Sequence, residues 1–327
     1  MMQRIAVRLG VAVALAACNV SNAFAAETAY PQRPIRLVIP QSPGGASDTI
    51  GRLVAQKLTQ QLGQQLVADN RPGATGNIGA ELVAHATPDG YTLLLTGPNL
   101  VTSTSLYARV GYDPIKDFAP VTRLARSPNV WLVHPSFPAQ DLKALIQIAK
   151  GKPKEISFSS SGLASSQHLA GELLNVLAGI ELVHVPYKGG GPALIDLMAG
   201  RVPVMVSSLP SAVPHIKAGK VRALAVTTSK RSAAIPEVPT VAEATGLASY
   251  EASTWQGFVF PTKTPRPIVQ RVADETIKAL GLADVRGRLH DLGYEPVAST
   301  PAEFAAFIKS ELARWAKVIA AAGIKRR

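Results

Sequence analysis

Short apolar runs and segments with helical periodicity alternate along most of the chain. Residues 34–39 (PIRLVI) are apolar and partly β-branched, which is typical of a strand. The apolar positions of the next segment fall on one face of a helix: Ile50, Leu53, Val54, Leu58 and Leu62. The same order recurs after QQLVADN, YTLLLT, EISFSS, IELVHVPY and VPVMV. This rhythm predicts an α/β protein with open, mostly parallel sheets that carry helices on both faces.

Two long extended segments interrupt the alternation. They cover residues 118–135 (FAPVTRLARSPNVWLVHP) and 250–261 (YEASTWQGFVFP), and neither shows helical periodicity. Two such crossings predict one domain inserted into another through a two-strand hinge. We therefore expect a first domain of residues 27–127 plus 250–327 and a second domain of residues 128–249.

The last segment of the chain has a clear helix start. TPAE at 300–303 is a capping box with proline at the first helical position. The apolar periodicity that follows predicts a long helix ending at Gly323.

The first 25 residues have the pattern of a bacterial export signal. Arg4 and Arg8 precede a short apolar core, and AFA at 23–25 is a small-x-small cleavage site. We expect cleavage after Ala25 and release of the mature protein into the periplasm. LAAC, which ends at Cys18, also resembles a lipoprotein box, so a lipid tether at Cys18 is the alternative.

Composition narrows the function classes. Hydrophobic residues make up 47% and charged residues 17% of the 327 positions, as in a globular protein. The net charge is +12, but the basic residues are scattered and the aromatic residues, at 6%, do not interleave with them, so we expect no nucleic-acid partner. Cys18 is the one cysteine of the sequence, which leaves the processed chain without thiol chemistry.

A loop rich in Gly, Ser, Asn and Pro follows each strand of this pattern. The six loops are PQSPGGASD, RPGATGN, GPN, SSSGLASSQ, KGGGP and SSLPS. In open α/β sheets ligands bind at that edge, and helix N-termini there present free N–H groups to anions. Taken alone, the first loop can also be a turn in which Ser47 or Asp48 caps the helix. The sequence has no P-loop motif, so the six loops together favour a cleft for a carboxylate held by backbone N–H and hydroxyl groups.

Signals of catalysis are weak. The sequence has no G-x-S-x-G or H-E-x-x-H motif and no carboxylate pair that stands out for acid–base work. His168 and Glu172 share a helix face, but they lack a third metal ligand nearby, so we interpret His168 as a polar lining or helix-start residue. Lys188 and Arg71 are interpreted as surface charges or loop anchors, and Trp131, Trp255 and Trp315 as packing residues. We expect no catalytic residue, metal or cofactor.

Several motifs together resemble a known family. PIRLVIPQSPGGASDTIGRLVAQKL, NRPGATGNIGAELVAHATPDGYTLL, SSSGLASSQHLAGELL, VHVPYKGGGPALIDLMAG and LPSAVPHIKAGKVRALAVT are similar to the solute receptors of tripartite tricarboxylate transporters, also called Bug receptors. The resemblance implies a two-domain periplasmic binding protein, type II-like, with two open sheets joined by a two-strand hinge. It also implies a small carboxylate as ligand and membrane permease subunits as partners, and we expect a monomer.

The resemblance also implies a set of ligand-binding residues. On the first domain they are Ser42, Gly44, Gly45, Ser47, Asp48, Ala74, Thr75, Gly76, Asn77 and Asn99. On the second they are Ser160, Ser161, Ser165, Ser166, His168, Tyr187, Lys188, Gly189, Ser207 and Ser208. Many relatives carry an Asp-Asn or similar pair where this chain has Ser207 and Ser208. Without that acid we expect simple di- or tricarboxylates or aromatic acids to bind better than amino acids.

Two alternatives to a transport receptor remain at this point. One is a secreted hydrolase-like enzyme on the same α/β plan, because a fold alone does not determine a function. The other is a binding protein that serves a signalling partner.

Overall fold

A computed structural model describes residues 30–321 of the chain as an α/β protein. Its strands are β1 (Ile35–Ile39), β2 (Leu66–Asn70), β3 (Thr92–Thr96), β4 (Phe118–Val133), β5 (Ser157–Ser160), β6 (Val183–Pro186), β7 (Val204–Ser208), β8 (Arg222–Val226), β9 (Ser253–Pro261) and β10 (Glu295–Pro296). Its α-helices are α1 (Ala46–Leu62), α2 (Asn77–Ala84), α3 (Asn99–Leu106), α4 (Leu142–Gly151), α5 (Ser166–Ala178), α6 (Gly190–Met198), α7 (Leu209–Lys217), α8 (Val241–Thr245), α9 (Arg266–Gly281), α10 (Ala283–Asp291) and α11 (Pro301–Ala321). A 3₁₀ turn at Ala74–Gly76 precedes α2.

The strands form one continuous sheet in the order β2-β1-β3-β9-β4-β7-β5-β6, to which β8 and β10 add by pairing with β4. Pairing is parallel among β2, β1 and β3 and again among β6, β5 and β7. It is antiparallel wherever β4 or β9 takes part. The parallel groups follow the predicted strand–helix rhythm, and the two long extended segments supply the antiparallel pairs.

Strand β4 links two groups of strands, because its 16 residues pair with different partners along their length. Its first part, up to Pro128, pairs with β9, and its last part, from Asn129, pairs with β7 and β8. We call β1, β2, β3, β9 and β10 the first strand set, and β5, β6, β7 and β8 the second strand set. The predicted crossing near residue 128 is therefore present as a single strand, whereas the division into two domains stays a prediction.

Each strand set is covered by helices on both faces, and each face has its own apolar cluster. The first strand set packs against α1, α9 and α10 on one face and α2, α3 and α11 on the other. The second strand set packs against α4, α5 and α8 on one face and α6 and α7 on the other. Strand β1 shows the pattern in its sequence: Leu37 and Ile39 contact one cluster and Val38 the other, and all three are fully buried. Such two-sided burial explains the apolar run in PIRLVI.

The start of α11 agrees with the capping box predicted from the sequence, whereas the start of α1 differs from the predicted cap. At Thr300 both capping-box bonds form, since Glu303 N donates to the Thr300 hydroxyl and the Glu303 carboxylate accepts from Thr300 N. At the first loop, capping by Ser47 or Asp48 is wrong: α1 begins at Ala46 with Gly45 as its N-cap. The Asp48 carboxylate instead accepts from the N–H of Gly44 at 3.0 Å and holds the preceding turn.

Three sequence predictions lie outside the described residues. They are the export signal of residues 1–25, the lipid tether at Cys18 and the end of the last helix at Gly323. Within the described residues, no helix combines the length and apolar character needed to cross a bilayer.

Candidate functional site

Five helices begin around one cavity between the two strand sets. They are α1, α3, α5, α6 and α7, whose first turns contribute Ala46, Asn99, Ser166, Gly190 and Ser211 to the lining. Each follows the carboxyl end of a strand, so the parallel order within each set brings the helix starts to the same edge. The cavity encloses about 530 Å³ of space between protein atoms, part of it open to solvent.

The lining is polar and carries no net charge. Its remaining residues are Gln41, Ser47, Gly97, Pro98, Ser161, Ser165, Gln167, Met205, Val206, Ser207, Ser208, Thr254, Trp255 and Gln256. Among the described residues, none of those that line this cavity has an acidic or basic side chain. The positive potential here therefore comes from the helix N-termini rather than from lysine or arginine.

The starts of α1, α6 and α7 keep backbone donors available, whereas at α3 the N–H groups of Leu100 and Val101 donate to the carbonyls of Gly97 and Pro98 at 3.0 and 3.1 Å. Across residues 30–321, no side chain forms a cap hydrogen bond at the N-cap of α1, α3, α6 or α7. The start of α5 differs, because the Ser165 hydroxyl accepts from His168 N at 3.1 Å. Uncapped N–H groups aimed at one uncharged cavity suit an anion, which supplies the acceptors that the helix starts lack.

A smaller cavity adjoins the first one, and its lining includes a basic residue, Lys188. It encloses about 220 Å³, and its lining includes Thr75, Gly76, Lys188 and Gly189. Gln41 and Ser161 line both cavities, so the two spaces share a wall. Lys188 therefore lies beside the polar cavity, and its backbone carbonyl accepts from the Ser42 hydroxyl there.

Loops of the two strand sets contact each other beside these cavities. The Ser42 hydroxyl donates to the carbonyl of Lys188 at 2.6 Å, and the Thr102 hydroxyl donates to the carbonyl of Ala164 at 2.6 Å. A Cβ on Gly162, whose φ is +137°, would lie 3.0 Å from the Thr75 hydroxyl on the loop after β2 and 2.9 Å from the Tyr187 carbonyl within its own strand set. A glycine at this position is needed for the loops to come this close.

The structure brings a subset of the predicted binding residues to the cavities. Those that line the larger one are Ser47, Asn99, Ser161, Ser165, Ser166, Ser207 and Ser208. Those that line the smaller one are Thr75, Gly76, Ser161, Lys188 and Gly189. Those outside both linings are Ser42, Gly44, Gly45, Asp48, Ala74, Asn77, Ser160, His168 and Tyr187. Contact of any of them with a ligand stays a prediction.

Several of the outer residues support the loops instead. The buried Asp48 carboxylate accepts from Arg52 at 2.9 Å and from Asn70 at 2.9 Å. Asn77 accepts from the Tyr112 hydroxyl at 2.9 Å. The Tyr187 hydroxyl donates to Asp196 at 2.7 Å, and burial together with that carboxylate raises the pKa of Tyr187 to about 12. Its phenol therefore stays neutral and is bonded to α6, and Tyr187 is not part of either lining.

His168 belongs to a buried cluster behind the loop that links β5 to α5. Its ring stacks on that of His184 with 4.1 Å between the centroids, and its Nε2 lies 3.7 Å from the Glu172 carboxylate. The Nε2 of His184 lies 2.6 Å from the Ser160 hydroxyl. Burial raises the pKa of Glu172. This arrangement supports the loop from behind rather than from inside the cavity.

The sequence analysis missed the part of the lining that comes from the second crossing. Thr254, Trp255 and Gln256 lie on β9 and line the cavity, as does Gln167 at the start of α5. The interpretation of Trp255 as a packing residue is incomplete, because its ring packs edge-on against Phe304 while the residue also lines the cavity. The predicted two-strand hinge could have indicated these residues, because strands that connect the two strand sets run along the base of the cavity between them.

The described part of the chain contains no group of three or more His, Cys, Asp or Glu side chains placed to hold a metal ion. The lining of the larger cavity offers backbone N–H groups, amides and hydroxyls.

Comparison with known proteins agrees with this architecture. A family model described as the tripartite tricarboxylate transporter family receptor matches residues 50–324. Protein BugT of Bordetella pertussis is 36% identical over 326 residues, which cover 99% of each chain.

Two solved structures with bound acids have the same fold. R. palustris Rpa4515 with adipate shows a TM-score of 0.89 and 39% identity over 91% of this chain and 100% of its own. MatC from Rhodopseudomonas palustris with bound malate shows a TM-score of 0.84 and 34% identity over 89% of this chain and 100% of its own. These matches confirm the predicted fold class, and the chain belongs to the tripartite tricarboxylate transporter receptors, the family of Bug-type periplasmic solute receptors.

Proposed function

We propose that this protein is an extracytoplasmic receptor that binds a small carboxylate in the cavity between its strand sets and delivers it to membrane permease subunits. The observation that carries the proposal is the meeting of five helix N-termini at a cavity lined by uncharged polar side chains. Helix N-termini stabilise anions, and backbone N–H groups bind a carboxylate without a fixed counter-charge. Two structural neighbours with bound dicarboxylates support this ligand class.

The lining also favours acids that lack an ammonium group. An amino acid would bury its ammonium beside Ser207 and Ser208, and a buried cation without a charge partner is unfavourable. Di- and tricarboxylates and aromatic acids avoid this penalty. We therefore propose that they bind more tightly than aspartate or glutamate.

The proposal includes the predicted organisation of the whole chain. Residues 27–127 plus 250–327 form one lobe and residues 128–249 the other, with β4 and β9 as the hinge between them. The export signal directs the chain to the periplasm, where it acts as a monomer. Closure of the lobes around the acid is then the form that the permease subunits recognise.

The test is to identify the ligand and then change the charge of its site. Mass spectrometry of the small molecule released from gently purified and then denatured protein should detect a carboxylic acid. Calorimetry with succinate, adipate, citrate, benzoate, aspartate and glutamate should rank the amino acids last. Ser208→Asp should weaken binding of the tightest acid more than tenfold, because it places a like charge in the cavity. Ser310→Asp, on the exposed face of α11, makes the same charge change elsewhere and should leave binding unaltered.

A further inference from the structure

A buried threonine on the side of the first strand set donates a hydrogen bond to the second strand set. Thr102 lies on α3 and is fully buried. Its hydroxyl donates to the carbonyl of Ala164, on the loop between β5 and α5, at 2.6 Å. The carbonyl of Pro98, one helical turn earlier, lies 3.0 Å from the same hydroxyl. A hydroxyl has a single proton, so the shorter contact takes it, and Pro98 remains as the acceptor when the strand sets part.

Ala164 has a backbone conformation that needs support. Its φ is +66°, in the left-handed region that is unfavourable for alanine and persists only where surrounding contacts hold it. Within its own strand set, the N–H of Ala164 donates to His168 Nδ1 at 3.4 Å. The donor to its carbonyl comes from α3 on the other side. The conformation of this loop therefore depends on contact between the two strand sets.

The hydrogen bond lies within an apolar contact. Ala164 and Leu169, from the second strand set, are buried in the cluster that the first strand set forms with α2, α3 and α11. A hydrogen bond in apolar surroundings is stronger than one in water. Parting of the strand sets would cost this apolar contact together with the bond.

The residues beside Ala164 belong to the cavity. Ser161, Ser165 and Ser166 line it, whereas Thr102 is outside both cavity linings. The Ser165 hydroxyl accepts from His168 N at 3.1 Å and so caps α5. A rotation of the peptide between Ala164 and Ser165 would move these groups. The conformation of Ala164 therefore sets the position of the cavity wall at the start of α5.

We propose that Thr102 is a positioning residue of the binding cavity, which acts from α3 on the loop of the opposite strand set. It holds Ala164 in the conformation that presents Ser165 and Ser166 to the acid, without contacting the acid itself. This inference rests on the proposed function, because it concerns how the same cavity is completed. When the strand sets part, Thr102 donates to Pro98 and the Ala164 carbonyl loses its donor. The second half of the cavity is thus formed only together with the contact between the strand sets.

Thr102→Val tests the role of the hydroxyl, because valine keeps the branched shape and lacks the proton. Calorimetry is performed with succinate, adipate, citrate, benzoate and any acid released from the purified protein. We expect the dissociation constant of the tightest acid to rise about tenfold, since the buried Ala164 carbonyl loses its donor. Thr102→Ser keeps the hydroxyl and should restore the wild-type affinity.

Thr276→Val is the matched control. Thr276 is fully buried in α9, and its hydroxyl donates to the carbonyl of Val272, one helical turn earlier, at 2.6 Å. The substitution removes the same kind of hydroxyl without touching the contact between the strand sets, so the affinity should be unchanged. Thermal unfolding of the ligand-free protein should show a similar shift for Thr276→Val and Thr102→Val.

Hydrogen exchange of residues 160–169, measured by mass spectrometry on the whole protein, reports on the loop directly. Addition of the tightest acid should slow exchange in this segment in the wild type and in Thr102→Ser, and less so in Thr102→Val. A purely structural role of Thr102 would lower thermal stability but would leave both the affinity and this protection unchanged.

The outcomes separate the two proposals. If an acid binds and Thr102→Val keeps its dissociation constant, or if Thr102→Ser is as weak as Thr102→Val, the positioning role is wrong and the receptor function stands. If no acid binds and none is released from the purified protein, the proposed function is wrong and this inference falls with it.

Discussion

The hydroxyl of Ser42 donates a 2.6 Å hydrogen bond to the backbone carbonyl of Lys188, which lies 146 residues further along the chain. Ser42 follows β1 and Lys188 follows β6, so the bond joins the two strand sets beside the cavities. A Cβ on the adjacent Gly189 would lie 3.0 Å from the same hydroxyl. The bond can form only when the two loops meet.

Ser42→Ala should therefore affect ligand binding more than folding. The variant loses one neutral hydrogen bond of the contacting state, so we expect the dissociation constant of the tightest acid to rise about three- to tenfold. Calorimetry measures this change, and thermal unfolding of the ligand-free protein should shift little. Ser310→Ala is the matched control, because its hydroxyl also donates to a carbonyl, at 2.8 Å, but within one helix. An equal loss of affinity in both variants would contradict the role of the bond.

Gly162→Ala should push the loop after β5 away from Thr75 on the loop after β2 and also from Tyr187 within its own strand set. The added methyl would lie 2.9 Å from the Tyr187 carbonyl and 3.0 Å from the Thr75 hydroxyl, and φ at this position is +137°. We expect at least a tenfold loss of affinity for the tightest acid, measured by calorimetry. The left-handed backbone also lowers the free energy of unfolding, by roughly 1–3 kcal/mol.

Gly179→Ala separates these two effects. Gly179 caps α5 with φ of +63°, and an added methyl has no atom within 4 Å in the described structure. This variant should lower the unfolding temperature while keeping the wild-type affinity. Comparable affinity losses in Gly162→Ala and Gly179→Ala would show that backbone strain, not the loop contact, governs binding.

The sequence predicted the elements around the site better than the site itself. Periodicity located β1, α1 and the loop between them within a few residues, because two-sided burial fixes the apolar pattern of PIRLVI and one-sided burial fixes that of α1. The positions of the six loops follow from the same pattern. That the six loops lie at one edge of the sheets was also predicted from the strand–helix rhythm, whereas the contacts between particular loops, such as that of Ser42 with Lys188, were not.

The direction of side-chain hydrogen bonds could not be predicted from the sequence. SSSGLASSQ contains five serines, and nothing in that string shows that Ser161 donates to Gln167 while Ser160 lies behind the loop against His184. The orientation of Gln167 depends on Asn129, whose Oδ1 accepts from Gln167 at 3.1 Å and which comes 32 residues earlier in the chain than Ser161. The lining by Thr254 and Gln256 likewise depends on how β9 crosses the base of the cavity.

Acid should weaken the β1–β2 edge of the sheet through Asp69, a residue of β2 whose carboxylate accepts from Arg36 on β1. Partial burial raises the pKa of the Asp69 carboxyl, but hydrogen bonds and charge from Arg36 and Arg71 outweigh that effect and leave the pKa below its usual range. A carboxyl with a lowered folded pKa contributes stability above its ordinary pKa of about 3.9, and the contribution is lost as the pH falls through the folded value. Asp69→Asn should therefore lower the free energy of unfolding at pH 7.

Urea unfolding between pH 2.5 and 7 measures this effect. The difference between wild type and Asp69→Asn should shrink below pH 4 and vanish when the wild-type carboxyl is protonated. Asp274→Asn, at an exposed position that accepts from Gln270, is the charge-matched control and should change stability less at pH 7. A constant difference between wild type and Asp69→Asn over the whole pH range would contradict the electrostatic origin.

Processing of the exported chain distinguishes the two predicted leader types. We expect a soluble mature protein that begins near Ala26, because AFA at 23–25 follows the apolar core at the spacing of a cleavage site. Intact-mass measurement of the protein recovered from the periplasm checks this. A species that begins at Cys18 and carries the mass of lipid chains would support the lipoprotein box instead.

Gln256→Leu should stabilise the ligand-free protein and weaken binding. Gln256 lines the cavity, and within residues 30–321 its Oε1 is buried without a hydrogen-bond partner. Such an unsatisfied group costs about 1–3 kcal/mol, so its replacement by an apolar side chain should raise the free energy of unfolding by a similar amount. The same change takes a polar group from the wall that faces the acid, and calorimetry should show a weaker complex.

Gln61→Leu provides the matched comparison for this last variant. Gln61 lies in α1, away from the cavity, and its Oε1 is also buried without a partner in the described part of the chain. Gln61→Leu should raise the free energy of unfolding and keep the wild-type affinity. If Gln256→Leu behaves in the same way, the unpartnered amide at the cavity is only a packing defect. If it alone loses affinity, the Gln256 side chain contributes to the complex as well as to the stability of the protein.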